Sequence, residues 1–125
     1  MTAQEAIRQA DSLLPGVVAP EGETDPRWQA IIAIADFIES EPVAVWEFTE
    51  RWAAYEDDDL QTAVATCLLE HLLEHHFELL FPRIEAAARA SPVFLRTLAM
   101  CWKFGQSTHP ANAAKLDKLL QEAPE

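Results

Sequence analysis

In the stretch LQTAVATCLLEHLLEHHFELLF, residues 60 to 81, apolar and polar positions recur with the spacing of an amphipathic helix. Leu69, Leu72, Leu73, Leu79 and Leu80 gather on one side; Glu70, Glu74, Glu78, His71 and His75 gather on the other. The same period runs through most of the chain, the alternation of strands is absent, and glycine occurs only at 16, 22 and 105. An all-α fold is predicted.

Start and stop signals divide this pattern into about six to seven helices. Thr2 and Glu5 have capping-box spacing and open a first helix that stops before Pro15-Gly16. Asp25-Pro26 opens a helix running to about Ser40, and Pro42 opens another running to about Tyr55. The acidic run at 56 to 59 caps the next, which begins near Leu60, and Pro82 predicts a boundary between about 76 and 82. Ser91-Pro92 opens a helix expected to end at Gly105, and His109-Pro110 opens the last, ending near Gln121.

The caps Asp25, Asp58 and Ser91 lie 33 residues apart. In that register Ile34 aligns with Cys67 and Met100, and Ile38 with His71 and Phe104, so the apolar face repeats. The expectation is a single domain, 1–125, in which an N-terminal helix and loop (1–25) precede three antiparallel helical hairpins, 26–58, 59–91 and 92–124. Through EDDDLQTAVATCLLEHLLE, an acidic cap leading into an Ala-rich amphipathic helix, the chain resembles HEAT and armadillo helical-repeat proteins. That resemblance covers about residues 26 to 122. It implies an α-solenoid-like stack with a binding surface on one face, and no chemistry.

Charge sharpens the functional picture. Of a formal net charge of −12, almost all lies in residues 1 to 60, where 14 acids face only Arg8, Arg27 and Arg51. Such a field repels phosphate backbones and anionic headgroups, so neither nucleic acid nor membrane is an expected partner, whereas a basic protein is. The polar N-terminus has no export-signal pattern and no apolar run reaches membrane-span length, which predicts a soluble, cytoplasmic protein. Cys67 and Cys101 sit in apolar helical stretches and read as buried free thiols.

His71 to His75 spells H-x-x-E-H, in which two imidazoles at i, i+4 reach one metal and the glutamate serves as general base. Peptidases using that motif need a third ligand far downstream and a large substrate chamber. Neither fits this chain, so no catalytic residue and no cofactor are expected. A metal-binding reading on His71, Glu74, His75 and Glu78 stands as the alternative; a structural homo-oligomer is a third class.

The segment VWEFTERWAAYEDDD interleaves aromatic and acidic residues as an interaction face for a basic partner would. Its candidate contacts are Trp46, Glu47, Glu50, Trp52, Asp57, Asp58 and Asp59. Trp46 and Trp52 lie about 120° apart around a helix, so one belongs to the core and the other is the candidate anchor. The expected function is therefore a non-enzymatic acidic protein-binding module, an adaptor or an immunity-like protein that neutralises a basic toxin.

Overall fold

In a computed structural model describing residues 1–122, the chain is all-helical, with no strand among the described residues. The helices are α1 (Ala3–Leu13), α2 (Pro26–Ala35), α3 (Pro42–Ala53), α4 (Asp58–Val64), α5 (Glu70–Ala90), α6 (Pro92–Ala99) and α7 (Pro110–Glu122). A π-helical turn, Ala65–Leu69, joins α4 to α5, and a 3-10 turn, Gly105–Thr108, precedes α7.

Local chemistry explains most of the starts. Thr2 and Glu5 form the reciprocal capping box. Asp25 accepts from the Arg27 amide ahead of Pro26, and Ser91 accepts from Phe94 ahead of Pro92. The cap of α4 is Asp57, which accepts from the Leu60 amide; Asp58 is the first helical residue, so the proposed unit boundary falls just inside α4.

Several ends differ from expectation. α2 stops at Ala35 because the amides of Asp36, Phe37 and Ile38 tighten to carbonyls three residues back, and Pro42 holds Glu41 out of the helical region. α3 ends at Ala53, two residues early. α6 ends at Ala99 rather than Gly105, because the amides of Met100 and Cys101 turn back to Thr97 and Leu98. The path then leaves the helix, and the Trp102 amide donates to Glu70 at 3.0 Å.

The stretch expected as a second hairpin runs from Asp58 to Ala90 as two helical segments that meet across a kink at His76 (φ −137°, ψ 43°). The bend falls at the near edge of the expected window, and Pro82 is carried inside the resumed helix. Glu70 also departs from the predicted polar stripe: it is buried, 5% exposed. The wide π turn immediately before it takes more residues per turn than an α-helix, so the residues after it lag the constant period on which the stripe was read.

A continuous core joins Ile31 and Ile34 of α2, Trp46 and Phe48 of α3, Leu60 and Val64 of α4, and Leu72, Phe77, Leu80 and Ile84 of α5 to Phe94 of α6. Ala6 and Ala10 of α1 and Ala30 of α2 join this core as buried small side chains, where α1 and α2 pack together. Two buried polar side chains tie α3, α4 and α6. Thr97 donates to the Ala53 carbonyl at 2.7 Å and receives Gln61 Nε2 at 3.1 Å, so the orphan carbonyl at the end of α3 is satisfied. No described helix is long and apolar enough to cross a membrane.

Candidate functional site

The acidic and aromatic residues of α3 and the α3–α4 junction do different jobs. Trp46 is the core residue of the pair, 2% exposed, with its ring edge-on to Phe94 at 5.8 Å. It offers no face to a partner. Trp52 is half-buried and donates Nε1–H to Asp11 Oδ1 at 2.8 Å. Arg51 grips the same carboxylate through both terminal nitrogens, at 3.0 and 3.1 Å, so α1 and α3 are pinned together. Glu47, Glu50 and Asp58 are exposed, and Tyr55 lies against Trp52 with centroids 5.5 Å apart.

Asp57 and Asp59 are engaged within the fold. Asp57 is the α4 cap. Asp59 Oδ2 accepts from the Arg27 guanidinium at 2.6 Å and from Trp28 Nε1 at 3.1 Å. Arg27 is buried, 3% exposed, and also donates to Asp25 and to the Pro15 carbonyl at 2.8 Å, tying down the loop between α1 and α2. Hydrogen bonding from the Arg27 side chain pulls the Asp25 carboxyl down to about 2, and the same bond raises the Arg27 guanidinium. This cluster was missed in the sequence. Its signal was scarcity: with three bases among residues 1 to 60, each had many carboxylates competing for it.

The histidine cluster is assembled differently from its spelling. Glu74 Oε1 lies 2.7 Å from His71 Nδ1 and 3.5 Å from His75 Nε2. Glu70 Oε2 approaches His71 Nε2 at 3.5 Å, and Glu39, from the turn before α3, approaches His75 Nδ1 at 3.9 Å. Glu78 is not part of this group; it lines an open cleft between α5 and α7 with Phe81, His109 and Lys115. Among the described residues, no group of three or more His, Cys, Asp or Glu side chains is arranged to hold a metal ion. Phe104 lies parallel to the His71 ring, centroids 5.8 Å apart; two residues earlier in the chain, Trp102 is 73% exposed.

Both cysteines are free thiols. Burial pushes Cys67 above the usual thiol range and Cys101 well above it, and the nearby Glu70 carboxylate acts in the same direction on both.

No known protein family, curated protein or solved structure matches the chain. What the fold and its surface define is an all-α domain with an acidic N-terminal half.

Proposed function

We propose that the chain is a non-enzymatic acidic protein-binding module, its helical hairpins stacked in the manner of a short solenoid, that engages a basic partner through its N-terminal half. One observation carries this reading. Of the 14 acids in residues 1 to 60, only Asp11, Asp25, Glu56 and Asp59 pair with an arginine among the described residues. The remainder, including exposed Glu47 and Glu50 on α3 and Asp58 at the start of α4, leave a field that speeds encounter with a cationic surface.

The test is capture of partners by the untagged protein at low and high salt. A basic protein released by salt, and lost when Glu47→Gln, Glu50→Gln and Asp58→Asn are combined, is the expected outcome. Retention of the same partner by that triple variant removes the proposal.

A further inference from the structure

In the loop between α1 and α2, Val17 and Val18 stand 84% and 58% exposed, yet the backbone on either side of them is fastened. Before them, the buried Arg27 guanidinium donates to the Pro15 carbonyl at 2.8 Å. After them, the Ala19 amide donates to Asp25 Oδ2 at 3.2 Å. Gly16 lets the chain close down on α2: at its φ of +54°, an added Cβ would lie 2.7 Å from the Leu13 carbonyl oxygen and 2.9 Å from Arg27 Cδ. Two apolar side chains are thereby held in water on a braced loop.

The same loop borders an open hollow of about 420 Å³. Leu13, Val17, Val18 and Pro20 give it apolar walls, and Glu23 stands among them. The charge of this lining is one-sided. Arg27 also borders the hollow, but it is 3% exposed and its guanidinium is engaged by Asp25 and Asp59. Glu23 has none of the arginine pairings that engage Asp11, Asp25, Glu56 and Asp59 among the described residues.

We infer that this hollow receives a lysine side chain of the basic partner, its aliphatic stem against Val17, Val18 and Pro20 and its ammonium toward Glu23. This rests on the reading of the chain as an acidic binding module and gives that module a contact outside α3 and α4. Lysine fits on two counts: its long stem covers the valines, and its compact ammonium meets a carboxylate that lacks a cation. Among the described residues no aromatic ring lines the hollow, so a guanidinium would find no face on which to stack. A free small molecule would stay wet on one side in so open a site, whereas a side chain delivered on a protein surface brings its own cover. Both ends of the loop are tied before binding, so little ordering cost remains.

The probe is a short peptide of alternating Lys and Gly, titrated at low salt against the full chain, with its Nζ-acetylated counterpart as the uncharged control. Expected are binding of the Lys peptide alone, movement of the Val17 and Val18 methyl resonances, and a weakening of about fivefold in Val17→Ser/Val18→Ser, which leaves the charge unaltered. Glu23→Gln should weaken binding about threefold. All three side chains are exposed, so both variants should melt with the parent. If the Lys peptide binds both variants as well as the parent but loses affinity for Glu47→Gln/Glu50→Gln, the hollow is overturned and the acidic-module reading survives. Equal binding of the acetylated peptide also overturns it, because no cation would then be needed. No binding of the Lys peptide overturns the hollow, while salt-sensitive capture of a basic protein would still uphold the module.

Discussion

Gln106 repairs the break in α5 at Phe77. Its Oε1 accepts the Phe77 amide at 2.8 Å while its Nε2 donates to the His75 carbonyl at 2.8 Å, so one side-chain amide stands in for the backbone partners lost on either side of His76. His76 itself bonds back to the Ile38 carbonyl at 2.9 Å, tying the bend to the turn after α2.

Gln106→Ala leaves both backbone groups without that partner. A loss of about 2 kcal/mol follows, with a fall in melting temperature on the order of 5–10 °C. The specific readout is hydrogen exchange at the Phe77 amide, which should accelerate more than exchange at Leu72 or Ile84. Unchanged protection of Phe77 would show that the bend is held by packing alone.

Acid sensitivity should have a component traceable to Asp25. Its folded value near 2 lies below the ordinary 3.8, so its contribution is fully present above about pH 4 and fades as pH falls toward 2. Asp25→Asn should therefore cost about 1–2 kcal/mol at pH 7, and the gap from the parent should close between pH 4 and 2 in urea titrations. A gap that stays constant over that range would mean that the carboxylate charge is not what holds Arg27.

Much of this architecture was legible. Caps followed by proline at Asp25-Pro26 and Ser91-Pro92 are local signals, and each sits where the spelling placed it. The π turn before Glu70 has no such signature, so a stripe read at a constant 3.6-residue period placed Glu70 on the wrong side. Long-range polar contacts were equally hidden: nothing near Asp59 in sequence announces a buried arginine 32 residues away. Among the tryptophans, position within a helix decided Trp46, whereas the exposure of Trp102 depends on α6 ending six residues earlier than its pattern suggested.

The tryptophans of α3 should separate cleanly by mutation. Trp46→Ala empties a fully packed site and should cost about 3–5 kcal/mol. Trp52→Phe keeps a ring and loses only the bond to Asp11, for about 1 kcal/mol. Chemical denaturation ranks them, and equal losses would contradict the placement of Trp46.

Neither thiol should react readily in the native protein. Burial raises both above the ordinary range, so at pH 7 to 8 each is held as the poor nucleophile, the neutral thiol. Mass spectrometry after brief iodoacetamide treatment should find little adduct on Cys67 and less on Cys101, with rapid double labelling in denaturant. Fast native labelling of Cys67 would reveal a reactive group that its surroundings do not account for.

Two glycines at positive φ provide a paired test of the tether between the Trp102 segment and α5. Gly22 has φ +86° with nothing within 4 Å of an added Cβ, so Gly22→Ala meets only the backbone penalty of about 1–2 kcal/mol. Gly105 has φ +48°, but an added Cβ would lie 2.7 Å from Glu74 Cγ and 2.9 Å from the Glu74 carbonyl oxygen. The flexible side chain can yield; the carbonyl belongs to the helix backbone and cannot move without opening the turn that Gln106 holds. Gly105→Ala should therefore cost about 2–4 kcal/mol and also speed exchange at the Phe77 amide, which Gly22→Ala leaves untouched. Equal stability losses in the two variants, with Phe77 unaffected in both, would mean that the segment is not seated on Glu74.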